Sequence, residues 1–188
     1  MAIQPDQLTY ADLQAFPEDN RRRELIDGEL IVTAAPRTRH QRVVTNLTAM
    51  LWLYAKEHGG EVFPAPTDVF FSDTNVVEPD VLFVRAENIE RIEKSFIRSA
   101  PDLVVEVSSP STRRLELVRK RELYERFEVP EYWYIDTEVD QVQMFRLGEG
   151  YGVATIVGRG ETVESAELPG FSVSINDLLG APETDDLP

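Results

Sequence analysis

Two acids stand in this chain where apolar residues would be expected, and a lysine follows them in the next element. Asp80 lies in the run Val77-Glu78-Pro79-Asp80-Val81-Leu82-Phe83-Val84, and Glu106 in Pro101-Asp102-Leu103-Val104-Val105-Glu106-Val107. Both runs are short and rich in β-branched residues, so both read as strands with an internal carboxylate. A charge inside a buried strand is costly unless it is paired or binds a metal. Strand alternation turns Val81 and Phe83 away from Asp80, and Val105 and Val107 away from Glu106. If the two strands are neighbours, the carboxylates meet. Acids that close repel one another unless a cation neutralises them, and an all-oxygen site suits a hard divalent ion, Mg²⁺ or Mn²⁺. The plainer outcome is an ion pair between one or both acids and an arginine at a strand end. Lys120, in the helix expected after the second strand, supplies the positive charge that a phosphate-cleaving site needs.

Glu116, Lys120 and Tyr124 are spaced i, i+4, i+8 and share one face of that helix. Glu116 is therefore placed to orient Lys120 or to stand in the outer shell of a metal, although the same spacing makes an ordinary surface pair. Arg113, Arg114, Arg119 and Arg121 make the surrounding segment basic. Arg113 and Arg114 are candidate phosphate contacts, and a solvated helix face is the equal alternative.

The positioning elements follow from periodicity and turn signals. Thr9 and Asp12 open a short helix in a capping-box arrangement that ends near Phe16-Pro17. Residues 23–32 alternate around Asp27-Gly28, a hairpin signal. Residues 38–58 form the clearest helix, with Val43, Val44, Leu47, Met50, Leu51 and Tyr54 on one stripe and Gly59-Gly60 as the stop. Residues 61–71 and 77–84 read as strands. Residues 85–100 form a polar connection with room for a short helix, and residues 102–107 the central strand. Pro110-Ser111-Thr112 starts a helix that runs to about Glu128, before Val129-Pro130. Residues 132–136, 142–147, 151–157 and 161–168 read as a following strand series, and 175–179 as a last short helix. The order is α/β with a central mixed sheet flanked by helices.

Other chemistries find no support. Ser108, Ser109 and Ser111 lack the glycine frame of a nucleophile elbow and read as strand exit and helix cap. There is no phosphate-cradling GxxxxGK[ST]. Two histidines and no cysteine argue against structural zinc. Trp52, Tyr132, Trp133 and Tyr134 are expected in the core or at a subunit interface.

The length of 188 residues fits one domain, expected over residues 1–180, followed by a disordered acidic tail at 181–188. No apolar run is long enough to cross a bilayer and the first residues lack a secretory pattern, so no membrane association is expected. The absence of cysteine excludes disulfides and fits a cytoplasmic protein. The net charge of −15 opposes nucleic-acid binding. Part of that charge is remote, however. From Gly160 onward there is no Lys or Arg, and Glu161, Glu164, Glu167, Asp177, Glu183, Asp185 and Asp186 all lie there.

One ordered set of motifs is specific. Glu24-Leu25-Ile26-Asp27-Gly28, His40-Gln41, Pro79-Asp80-Val81, the block Asp102 to Thr112, Lys120, Tyr124 and Glu131-Tyr132-Trp133 together resemble the Uma-type restriction endonuclease family. That family belongs to the PD-(D/E)xK nuclease superfamily, and the resemblance spans roughly residues 9–180. It implies a restriction-endonuclease-like fold and metal-dependent DNA hydrolysis by Asp80, Glu106 and Lys120. It also implies the Val107 carbonyl as a further metal ligand, accessory roles for Glu24 and His40, and a homodimer, for which an edge strand in 142–168 is available. The superfamily lysine two residues after the second acid is Ser108 here, and Lys120 matches the family's place for it in the following helix. The family commonly has Asp where this chain has Glu116. The alternative to a nuclease is a non-catalytic binding or assembly module that keeps the fold, favoured by Ser108 and by the net acidity.

Overall fold

The computed structural model describes residues 7–17, 19, 21–109, 113 and 115–182. In chain order the elements are α1 (Tyr10–Gln14), β1 (Arg22–Ile26), β2 (Glu29–Thr33), α2 (Thr38–His58), β3 (Glu61–Pro64), β4 (Val69–Ser72), β5 (Asn75–Val77) and β6 (Val81–Val84). A 3₁₀ segment, Ala86–Arg91, leads to β7 (Ile97–Arg98) and β8 (Leu103–Val107). A π-helical stretch, Leu115–Lys120, then runs into α3 (Arg121–Arg126). The chain closes with β9 (Glu131–Asp136), β10 (Gln141–Arg146), β11 (Thr155–Gly158), β12 (Thr162–Glu164), β13 (Ser172–Ser174) and α4 (Ile175–Leu179).

The largest sheet has six strands in the order β11-β10-β9-β8-β6-β3. It is mixed: β8 pairs antiparallel with β6 and parallel with β9. Its two faces feed two cores, as the pleat requires. Val81, Phe83, Leu103, Val105, Val107, Trp133 and Ile135 face α2, meeting Val43, Val44, Leu47 and Leu51. Leu82, Val104, Tyr132 and Tyr134 face the other way, against Leu123 and Tyr124 of α3 and the second sheet. That sheet has five strands, β2-β1-β5-β4-β7. Glu106 shares the parity of Val104, so its carboxylate lies on the face where α3 and the second sheet meet.

The hairpin of β1 and β2 turns at Asp27 and Gly28, both with positive φ (53° and 76°), as an Asp-Gly turn demands. The long helix spans 38–58 as its apolar stripe predicts and ends at Gly59, φ 79°. The Asp12 carboxylate accepts from both the Thr9 N–H and hydroxyl at the start of α1.

Three expectations are corrected. The strand expected over 61–71 is two strands, because Pro64 and Pro66 cannot donate to a ladder and the chain turns between them to join the second sheet. The strand expected over 77–84 is likewise split by Pro79, so β5 and β6 belong to different sheets. Asp80 thus precedes β6 rather than lying inside it. Residues 161–168 do not continue the strand series: β12 pairs with β13 in a separate two-stranded sheet, and β11 is the edge of the large one. Trp52 lies outside the core of this chain, which leaves the subunit-interface alternative for it. It is 52% exposed, with Lys56 resting 4.8 Å from its ring centre, whereas Tyr132, Trp133 and Tyr134 are fully buried. The start of the helix expected from residue 110 and most of the 181–188 tail lie outside the described residues. No described helix is long and apolar enough to cross a membrane.

Candidate active site

Register explains how the two acids meet. Val81 pairs with Val105 and Leu82 with Val104, so one step further places Asp80 opposite Glu106. Pro79 ends the ladder there and frees Asp80 to turn inward. One of its carboxylate oxygens, Oδ2, accepts from the Val107 N–H at 2.7 Å and contacts His40 Nε2 at 3.0 Å. The other, Oδ1, accepts from Arg22 at 2.6 Å. Glu106 is completely buried. Its Oε1 accepts from Lys120 Nζ at 2.8 Å and from the Tyr124 hydroxyl at 2.6 Å, and its Oε2 faces Arg22 at 3.5 Å. Glu24 completes the cluster. Its Oε1 takes the Lys120 ammonium at 2.7 Å and the Glu78 N–H at 2.8 Å.

Each element contributes by local rules. Arg22 and Glu24 are two apart on β1, hence on one face. Lys120 and Tyr124 are i, i+4 across the junction of the π-helical stretch and α3, and both reach the same oxygen of Glu106. Such π-helical insertions recur at functional sites. Ser108, in the superfamily's usual lysine position, turns away: its hydroxyl accepts from the Thr137 N–H at 3.0 Å. Lys120 therefore brings a lysine to the second acid from another element.

Electrostatics divide the carboxylates. Burial works against the charge on Asp80, but His40, Arg22 and the Val107 N–H outweigh it and hold the group well below its ordinary range. Burial likewise opposes ionisation of Glu24, and Lys120 and Arg22 reverse it, so that group too titrates below its usual value. For Glu106 burial prevails: Lys120 opposes the rise, Asp80 adds to it, and the group ends above its ordinary value. Burial disfavours the Lys120 ammonium, yet Glu106 and Glu24 keep its pKa raised. Burial and the neighbouring Glu106 push Tyr124 far up, so its hydroxyl stays protonated and donates. Burial also lifts Glu78 to about 7.

Asp80, Arg22 and His40 line a cleft of about 320 Å³, together with Gln41, Glu78 and the apolar Val44 and Pro66. Glu106 and Lys120 do not line it. Arg22, its side chain 20% exposed, touches both the cleft and Glu106.

Asp80, Glu106, Lys120, Tyr124, Glu24 and His40 are thus all brought together. Glu116 is buried on the same segment, where its carbonyl oxygen accepts from the Tyr132 hydroxyl; the partners of Lys120 are Glu24 and Glu106. Arg113 pairs with Asp136 at 2.9 Å, and Arg114 lies outside the described residues. Arg119 pairs with Glu29 at 2.9 Å, and the Arg121 guanidinium rests 5.4 Å from the Phe145 ring centre. The basic run does not gather at the site. Two members of the cluster were not named from the sequence. Arg22, the first residue of β1, pairs with both Asp80 and Glu106, which is the strand-end ion pair set out as the plainer outcome; its own signal was a charged pair at i, i+2 on a strand, which shares a face. Glu78 carried none beyond its proximity to Asp80.

A divalent ion is implied by the resemblance. Among the described residues no three Asp, Glu or His side chains stand ready as a metal cage. Mg²⁺, however, keeps several waters and takes only one or two protein carboxylates. The donors present fit such an ion. Asp80 Oδ1 and Glu106 Oε2 converge on one cationic group, and Glu24 Oε2 is buried with no hydrogen-bond partner among the described residues.

Known proteins share this architecture. A solved structure described as a "putative nuclease belonging to DUF820", from Anabaena variabilis, superposes with a TM-score of 0.77 at 20% identity, covering 92% of this chain and 97% of that one. At that identity the likeness establishes the restriction-endonuclease-like α/β fold. No curated protein sequence matches the chain. The family Uma2, described as "Putative restriction endonuclease", matches residues 9–176, and the chain belongs to that family.

Proposed function

We propose that this protein is a divalent-metal-dependent endonuclease that hydrolyses phosphodiester bonds in DNA, with Mg²⁺ or Mn²⁺ at Asp80 and Glu106. The observation that carries the reading is the convergence of two carboxylates from facing strand positions with a lysine from a separate helix. A bound ion supplies Lewis-acid polarisation of the phosphate and an activated water. The Val107 carbonyl, on the residue whose N–H binds Asp80, is a further oxygen donor in this reading.

The chain's own residues then have distinct tasks. His40 and the Val107 N–H fix the direction of Asp80 through Oδ2, leaving Oδ1 to Arg22. Tyr124 and Lys120 fix Glu106 through Oε1, leaving Oε2 to Arg22. Two carboxylates within 2.8 Å favour the charged form of Lys120, so it acts as a stabiliser of phosphate charge rather than as a base. Arg21 lines the cleft with a 68% exposed side chain, held among the described residues only by a 3.5 Å pair with the surface Asp19, and is better placed to meet a backbone phosphate than Arg113, which pairs with the fully buried Asp136 at 2.9 Å.

The test is a cleavage assay on supercoiled, linear duplex and single-stranded DNA with Mg²⁺ or Mn²⁺, comparing the protein with Glu106→Gln. Metal-dependent products that vanish in the variant support the reading. Folded protein that cleaves none of these forms, with either ion, refutes it.

A further inference from the structure

Arg22 occupies an unusual position. One guanidinium donates to Asp80 at 2.6 Å, faces Glu106 Oε2 at 3.5 Å, lies 3.7 Å from Glu24 and hydrogen-bonds the Glu78 carbonyl. Among the described residues it is the group that engages Asp80 Oδ1 and Glu106 Oε2, the two oxygens His40, Lys120 and Tyr124 leave open. It also stands between the cleft and Glu106, since Glu106 itself does not reach the cleft. Any ion that enters from the cleft and binds both acids has to move it.

We propose that Arg22 is a resident cation that holds the site in its metal-free form and is displaced by the incoming divalent ion, a claim that rests on the metal reading above. Charge balance supports the exchange. Counted as carboxylates, Asp80, Glu106 and Glu24 face two cations, Arg22 and Lys120, which leaves one negative charge among these five groups, with Glu78 and His40 at their rim. Replacing the guanidinium by a divalent ion brings the cluster to neutrality. Three acids that are each almost fully buried cannot face Lys120 alone without strong mutual repulsion. Arg22 therefore keeps the empty site folded and competes with the metal for the same oxygens.

The displaced side chain has somewhere to go. The cleft of about 320 Å³ already includes part of Arg22, and Arg21 and the Glu78 carboxyl line it as well. There the guanidinium faces the side from which a phosphate approaches, and its planar fork suits phosphate oxygens. Arrival of the ion thus delivers a second positive group to the substrate side of the site.

Calorimetric titration with Mn²⁺, paired with thermal melts in EDTA and in Mn²⁺, tests this on the full-length protein, Arg22→Gln and Arg22→Lys. Arg22→Gln should bind Mn²⁺ about 10- to 100-fold tighter, the range that corresponds to removing one or two charge-assisted hydrogen bonds from the competition. It should melt lower than the parent in EDTA and recover in Mn²⁺, and Arg22→Lys should fall between the two. If Arg22→Gln fails to fold without metal, Mn²⁺-dependent folding is the same result in another form. In the parent protein, the Nε–Hε resonance of Arg22 should shift and exchange faster with water on adding Mg²⁺. Equal or weaker Mn²⁺ affinity in Arg22→Gln, or an Arg22 resonance that ignores saturating Mg²⁺, overturns displacement while leaving the metal site standing. Absence of Mn²⁺ binding in parent and variants alike overturns both.

Discussion

Lys120 and Glu24 are joined at 2.7 Å although one lies on the π-helical stretch before α3 and the other on the first hairpin. With Glu106 at 2.8 Å the lysine links the two sheets through a fully buried ammonium. Lys120→Ala should therefore do more than remove activity. It leaves two buried carboxylates with the more distant Arg22, at 3.5 and 3.7 Å, as their cation, a loss of about 3–5 kcal/mol for a broken buried pair. Denaturant unfolding in metal-free buffer measures it. Lys120→Arg should recover little of either property, because a planar guanidinium cannot take the place of a compact ammonium between two acids.

His40 acts on the site through Asp80. His40→Ala should weaken Mn²⁺ binding by about 10- to 100-fold, the usual cost of removing a group that orients a metal ligand. Tyr124→Phe, which strips a donor from Glu106 Oε1, should do the same with little change in shape. Calorimetry on both variants checks this. Unchanged affinity in His40→Ala would limit that residue to packing at the start of α2.

Arg21→Ala should weaken DNA binding evenly across sequences and flatten its dependence on salt, by roughly one unit in the log–log slope for each phosphate that is no longer neutralised. Arg113→Ala should leave that slope unchanged, because its guanidinium is committed to Asp136. Fluorescence anisotropy over a salt series separates the two.

Asp68 offers a pH test outside the proposed metal ligands, although Glu24 adds to the effect of its burial. Burial raises its carboxyl above the ordinary value of 3.8. The folded state therefore holds the proton more tightly than the unfolded state. The resulting destabilisation is absent below the unfolded pKa and fully present above the folded one. Asp68→Asn should accordingly melt higher than the parent in neutral buffer, and the gap should close as pH falls toward 3.8. A gap that persists in acid would point to packing instead.

Glu131 is the control for reading buried acids as functional. It is fully buried, and accepts from the Trp133 indole N–H at 2.8 Å, the Ser165 hydroxyl at 2.7 Å and the N–H groups of Ala166 and Glu167 at 3.0 and 3.1 Å. These donors tie the segment before β13 to the large sheet. Glu131→Ala should lower stability by at least about 1–3 kcal/mol, the cost of leaving buried donors unsatisfied, while Mn²⁺ affinity of the folded fraction stays the same.

Glu131 and Glu106 look alike in the sequence and differ in the fold. Both are acids beside β-branched or aromatic runs, although Glu131 stands one residue before the strand expected over 132–136. Elements whose cause is local were legible from the chain alone. The long helix follows from its apolar stripe and Gly59, the first hairpin from Asp27-Gly28, and the central strand from its valines. The meeting of Asp80 and Glu106 was legible as a condition, because a period of two sets the face each acid takes while the neighbouring of their strands is set by the sheet. Lys120 was named from the chain; what the chain could not disclose was that Arg22 would be the strand-end arginine to join it at those acids. Arg22 is 58 positions from Asp80 and 84 from Glu106, and it reaches them only because Pro79 diverts the chain from one sheet to the other beside β1. Glu131 is bound by donors supplied by a loop more than 30 residues later, so it is a structural tie. Glu106 is bound by side chains from β1 and from the helical segment carrying Lys120 and Tyr124, and its Oε2 is left to Arg22. Sequence determined that acids would be buried; the packing of two sheets against one helical segment decided which of them can be reached from the cleft.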